Sequence, residues 1–212
     1  MACRERHPVN GATGSPAGLV SHLAGGPTTP TRLQECFCIF TTVLSPARVL
    51  LGTGEVRRIL IVDLDVHQGD GSAACFQHDP RVTTLSVHAA SNFPLRKVDG
   101  DIDIPLADGT SDDDYLDAIA DRLPDALDNI APDLVLYNAG VDPHRDDRLG
   151  RLALSDAGLN MRDRLVLDAC LRRRIPTATV IGGGYDALAP LVQRHAIVVR
   201  AAAEQARLFN LP

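Results

Sequence analysis

Asp63, Asp65 and His67 occupy every second position of the stretch Ile59-Leu-Ile-Val-Asp-Leu-Asp-Val-His-Gln-Gly-Asp-Gly71. In an extended chain, residues spaced by two point to the same side. Two carboxylates and an imidazole therefore converge where a short apolar run ends and the chain turns at Gly69 and Gly71. Burying a strand calls for none of them. Two oxygen donors and one nitrogen donor suit a divalent transition metal such as zinc, with positions left over for water or substrate. The competing reading is a plain turn, capped by Asp63 and Asp65, with His67 an ordinary satisfied polar residue. A motif this short does not separate the two by itself.

The elements that must carry these residues decide between the readings. Ile59–Asp65 is a continuous apolar run, the pattern of a strand buried on both faces. Val82–Val87, Leu134–Asn138 and Thr177–Ile181 repeat it. Helical stretches lie between the runs: a short one over 71–78, one opened by Ser111 and an acidic first turn and running to about Ile130 with a kink at Pro124, and one from Ser155 that stops before Pro176. A last helix covers 188–209. Strands separated by helices predict a mainly parallel sheet with helices on both faces. Polar or glycine-rich chemistry follows each run at its C-terminal end: Asp65 and His67, Ser86 and His88, Asn138 to Asp142, and Gly182-Gly-Gly-Tyr185. In open parallel sheets that edge is where ligands bind. Four strands delivering such groups to one rim favour the metal site over the turn.

Composition narrows the partners. With 212 residues and 45% hydrophobic content, the chain can bury a core. A formal charge of -6 leaves no basic tract to neutralise phosphates, so direct nucleic-acid binding is not expected. The run Arg172-Arg173-Arg174 ends a predicted helix and complements its dipole. Five cysteines, Cys3, Cys36, Cys38, Cys75 and Cys170, lack framework spacing and read as free thiols in a reducing, cytoplasmic setting. No apolar leader or membrane anchor is evident at the N-terminus. Residues 1–35 are so densely punctuated by glycine and proline that no element of normal length is expected there, which leaves 36–212 for the folded domain.

The motifs Asp63-Leu-Asp-Val-His-Gln-Gly-Asp-Gly71, Leu85-Ser-Val-His88, Asn138-Ala-Gly-Val-Asp-Pro-His144, Asp147-Arg-Leu-Gly150 and Gly182-Gly-Gly-Tyr185, in that order, resemble the zinc-dependent histone deacetylase superfamily. That superfamily includes bacterial acetylpolyamine and acetoin-utilisation relatives. The resemblance implies a three-layer α/β fold of the arginase–deacetylase type, its N-terminal part truncated or degraded. It implies hydrolysis of an N-acyl-lysine or acylpolyamine by a zinc (or iron) ion bound to Asp65, His67 and Asp142. It makes Tyr185 the oxyanion donor, and Asp63 and Asp70 the partners of a catalytic histidine pair. Ser86 and Val87 resemble the family's potassium site, and Phe37, Phe93, Gly183 and Gly184 its substrate channel. His88 is assigned a structural role at the rim. His78, His144 and His195 read as surface or loop residues, and Asp108 and Asp112–Asp114 as a solvated helix start. A binuclear manganese ureohydrolase would need more bridging aspartates than Asp63, Asp65 and Asp70 supply in this order.

The resemblance breaks at two places. The family carries tandem histidines after Leu-Ala-Gly-Gly, whereas this chain reads Leu23-Ala-Gly-Gly-Pro-Thr-Thr-Pro30, with Thr28 and Thr29 at both positions. Thr41-Thr42 likewise stands where the family has Asn-Asp. Codons ACC-CAC-CAC-GCC encode Thr-His-His-Ala; displaced by one nucleotide the same letters read Pro-Thr-Thr. The expectation is that parts of residues 1–50 are an out-of-frame translation, which the other reading frames of the encoding DNA would test. Two readings of function stay open: a deacylase, and a pseudoenzyme that keeps metal and acyl-ligand binding without turnover.

Overall fold

The computed structural model describes the backbone of residues 19–22 and all of residues 43–211. Six strands, β1 (Leu19–His22), β2 (Ile59–Asp63), β3 (Val82–Ala89), β4 (Ile102–Leu106), β5 (Leu134–Asn138) and β6 (Thr177–Val180), form one sheet in the order β1-β6-β5-β2-β3-β4. Every ladder in it is parallel. Helices α1 (Leu44–Thr53) and α2 (Asp70–Phe76) cover one face; α3 (Asp112–Ile130), α4 (Asp156–Arg172) and α5 (Leu188–Leu208) cover the other.

The side-chain alternation of β2 shows why three layers form. Ile59 and Ile61 pack with Leu44, Ala47 and Leu51 of α1 and Phe76 of α2. Leu60 and Val62 face the opposite way, against Tyr115, Ile119 and Leu123 of α3 and Val166 of α4. All of β2 and β5 is buried. Each buried aliphatic side chain contributes about 1.5–3 kcal/mol relative to exposure, so a continuous apolar run is stable only where both faces are covered.

Strand order also creates the site. From β2 the chain moves outward one way through β3 and β4, then returns to β5 on the other side of β2 and continues to β6. The order therefore reverses between β2 and β5, and in open parallel sheets the ligand-binding crevice lies beyond the C-terminal ends of the strands at such a reversal. Register makes the alignment tight: Asp63 lies beside Ser86 on β3 and beside Asn138 on β5.

Three elements differ from the sequence reading. The edge strand β4, Ile102-Asp-Ile-Pro-Leu106, alternates half-buried and exposed residues and holds a proline, so it lacks the apolar run of a central strand. Helix α1 buries Leu44, Ala47 and Leu51 at helical spacing, with Pro46 tolerated in the first turn. Strand β1, only four residues long, falls inside the stretch where no element of normal length is expected, pairing with β6 from Leu19↔Thr177 to His22↔Val180. Helix α3 runs through Pro124 as a single helix. Asp112, expected to be solvated, accepts from the backbone N–H (2.8 Å) and hydroxyl (2.5 Å) of Ser155, tying α3 to the N-cap of α4. Among the described residues, no helix is long and apolar enough to cross a membrane.

Candidate metal centre

Asp65, His67 and Asp142 offer ligand atoms that all lie within 4.8 Å of one another. The first two follow β2, and the third follows β5. Asp65 turns back on its own loop: its Oδ1 accepts the His67 backbone N–H at 2.9 Å and lies 2.9 Å from His67 Nδ1. Asp142 is fully buried, and its Oδ1 accepts the Val66 N–H at 2.8 Å, crossing from the β5 loop to the β2 loop. Its Oδ2 lies 3.2 Å from His67 Nδ1 without hydrogen-bond geometry and has no other partner.

Asp63 acts as scaffold. Its Oδ1 accepts Asn138 Nδ2 at 2.8 Å and the Asp65 N–H at 3.2 Å, so one carboxylate shapes the turn and joins β2 to β5. Glycines permit the close approaches. A Cβ on Gly140 would sit 2.7 Å from Asp65 Cα, and one on Gly183, at φ +48, would meet the Asp142 carboxylate at about its van der Waals core. Gly183 thus backs a candidate ligand, while Gly184 packs beside Val141, Leu191 and His195.

Charge in this crevice is one-sided. Burial, then repulsion from Asp65, raises the Asp63 carboxyl far above the usual range, and the same two causes raise Asp142. Burial alone would depress His67, but Asp142 and Asp65 override it and push the imidazole up to about 10. Asp65, His67 and Asp142 would hold a dication that offsets this surplus, with the imidazole neutral and Asp142 Oδ2, which has no hydrogen-bond partner, as one donor. The donor set fits such an ion.

These shifts predict the pH behaviour of the metal-free chain. Folded Asp63 and Asp142 keep protons that unfolded carboxylates have lost, so their contribution declines as pH rises above about 4. The His67 contribution is complete below the unfolded value of 6.5 and is lost toward about 10. Thermal unfolding of chelator-treated protein is therefore expected at progressively lower temperature from about pH 6 to about pH 9. Added zinc should restore more at the alkaline end, because His67 must release its proton to bind the ion. A flat or rising profile without metal would show that the cluster does not carry this charge.

The remaining expected residues surround the centre. Tyr185 follows Gly182–Gly184, and its ring stands edge-on to His67 with centroids 6.0 Å apart. Its backbone N–H donates to Asp147 Oδ2 at 2.6 Å, and Asp147 Oδ1 accepts the N–H groups of Leu149 and Gly150. Ser86 Oγ accepts the Gly69 N–H at 3.2 Å and lies 3.0 Å from His88 Nδ1, the structural role expected of His88; Val87 beside it is buried. Asp70 begins α2 outside the three-residue cluster, its carboxyl raised by burial. Phe93 is partly exposed, and the neighbouring Asn92 donates to Leu149 O at 2.8 Å. His144 is a correction: it is buried, its Nδ1 accepting the Asp146 N–H at 3.1 Å and its Nε2 lying 3.4 Å from Asp156. His78 is exposed and His195 half-buried. Thr28, Thr29 and Phe37 lie outside the described residues.

Sequence reasoning gave no role to Asn138, Asp147 or Gly140. For Asn138 the signal existed, since equal offsets along two parallel runs place it beside Asp63.

Comparison with known proteins agrees with this architecture. A profile of the histone deacetylase domain matches residues 30–201. An uncharacterized protein of Picosynechococcus sp. is 50% identical over 167 residues, covering 78% of this chain and 56% of the relative. Histone deacetylase 2 of Arabidopsis thaliana is 32% identical over 154 residues, covering 70% and 39%. Among solved structures, the HDA15 HD domain superposes with a TM-score of 0.67 at 23% identity, covering 85% of this chain and 54% of that one. Acetylpolyamine aminohydrolase from Burkholderia pseudomallei gives 0.66 at 23% identity, covering 79% and 49%. The chain thus spans about half the length of the proteins it matches. A parallel sheet whose reversal point gathers two aspartates and a histidine, in a sequence matched by that profile over most of its length, means that the chain belongs to the histone deacetylase family.

Proposed function

We propose that this chain carries the metal half of a deacylase site, built to hydrolyse the amide of an N-acyl-lysine or acylpolyamine to a free amine and a carboxylate. The observation that carries the reading is the convergence of Asp65, His67 and Asp142 beside Tyr185 in a histone deacetylase domain. Those three residues would hold zinc, or iron in its place, which when bound would supply Lewis-acid polarisation of the scissile carbonyl. The chain's own groups do the rest. The Tyr185 hydroxyl donates to the carbonyl oxygen as negative charge grows on it. Asp63 keeps the turn in shape, Asp70 borders the site as the family's second histidine partner, and Ser86 with Val87 forms a potassium-like site. Phe93, Gly183 and Gly184 line the acyl channel. The setting is the cytoplasm, as thiols without disulfide spacing favour.

A second reading rests on Thr28 and Thr29. Their hydroxyls are not basic near neutral pH, so the proton acceptor that the family's histidine pair provides is missing from the sequence. On this reading the chain binds metal and an acylated ligand without turnover. Metal content measured together with turnover of an acetyl-lysine reporter tests both. About one zinc per chain is expected under either, and turnover separates them. A chain that binds no divalent ion at all would sink both.

A further inference from the structure

Helix α4 carries a charge where its apolar stripe should continue. Leu159, Arg162, Val166 and Cys170 share the buried face, and Arg162 is 0% exposed. A guanidinium sealed from water is costly unless its donors are used. Here Nη1 is used on the loops that hold the metal-site residues, while Nη2 is left with only an ion-pair contact to Asp163. Arg162 Nη1 donates to Gly140 O at 2.6 Å and to Leu64 O at 3.3 Å. Leu64 immediately precedes Asp65, and Gly140 lies two residues before Asp142.

The backbone explains why such a bridge is needed there. The β2–β5 ladder ends at Asp63↔Asn138, and one further bond, Leu64 N–H to Asn138 O at 3.1 Å, closes it. Beyond that point side chains take over the cross-links: Asp142 accepts from the Val66 N–H, and Arg162 donates to Leu64 O and Gly140 O. Arg162 is itself fixed. Its Nε donates to Asp163 Oδ1 at 2.9 Å, Nη2 lies 2.8 Å from that oxygen, and the Tyr137 hydroxyl donates to it at 2.6 Å. Tyr137 sits on β5, so the network is anchored to the strand whose loop it positions.

We infer that Arg162 is a positioning residue for the metal centre, its guanidinium setting the separation of the Asp65 and Asp142 loops by bridging Leu64 O and Gly140 O. The inference rests on the proposed metal reading of Asp65, His67 and Asp142. Nothing in it requires Arg162 to touch metal or substrate.

The test compares zinc affinity, by chelator competition, and the rise in unfolding temperature on adding zinc, in the parent chain, Arg162→Lys and Arg162→Met. Loss of an outer partner of metal ligands typically lowers affinity about 10–100-fold. Arg162→Met is expected in that range, with a smaller zinc-induced rise, and Arg162→Lys between it and the parent because it keeps the charge but not the Asp163-anchored fork. A purely structural arginine would lower the unfolding temperature equally with and without zinc and leave affinity at the parental value; that result overturns the inference. Should Arg162→Met not fold, Arg162→Met with Asp163→Asn removes both buried charges and carries the same comparison. If none of the three folds, Arg162 is needed for the fold itself and the positioning role falls. A parent chain that binds no zinc overturns the metal reading and this inference with it, whereas zinc-binding variants equal to the parent overturn the inference alone.

Discussion

Asp142→Ala is expected to lose tight zinc retention. The substitution removes one of three clustered donors and one of the two ligand carboxylates that would balance a dication. Losing an outer partner costs about 10–100-fold in affinity, so losing a ligand should exceed that range. It also strands the buried Val66 N–H, which donates to Asp142 Oδ1, at a cost of about 1–3 kcal/mol. Asp142→Asn separates the two effects. Its side-chain oxygen can still accept from Val66 while the charge is gone, so the fold should hold and zinc should still be lost. Chelator competition on both variants gives the answer. Parental affinity in Asp142→Asn would show that this carboxylate is not a ligand.

Central strands were legible because β2 and β5 are buried on both faces, and full burial leaves one signature, an unbroken apolar run. The rim was legible because polar residues ended every run. What escaped was set by tertiary context. Strand β4 needs only one covered edge, so Ile102-Asp-Ile-Pro-Leu106 reads as loop. His144 reads as a loop histidine until Asp146 and Asp156 are seen around it. Arg162 had a signal, a charge on the stripe of Leu159, Val166 and Cys170, but the carbonyls that satisfy it lie 22 and 98 residues away in sequence. Asp147 stands in a motif that carries the resemblance, but nothing in the sequence shows that its carboxylate also accepts the Tyr185 backbone N–H.

Deacylation by the chain as its sequence stands is expected to be weak or undetectable. A bound zinc and the Tyr185 hydroxyl would still lower the barrier to attack on the amide. What is missing is a base to take the proton from attacking water, since a threonine hydroxyl at positions 28 and 29 stays protonated near neutral pH while an imidazole titrates there. General base catalysis is worth about 10²–10⁴-fold. Replacing the segment around Leu23–Pro30 by one that carries the family's histidine pair should therefore raise turnover of an acetyl-lysine reporter by on the order of 10²-fold or more. Substituting Thr28 and Thr29 alone is the weaker rescue, because Pro27 and Pro30 each fix a backbone angle in that short stretch. Tyr185→Phe should lower whatever rate is present in either form, without loss of zinc, because it removes a donor and no ligand. No gain from the restored segment, in a protein that binds zinc, would favour the binding-only reading. Robust zinc-dependent turnover by the unaltered chain would instead require a base that is already present, and Asp70→Asn and His88→Ala would be the first substitutions to locate it.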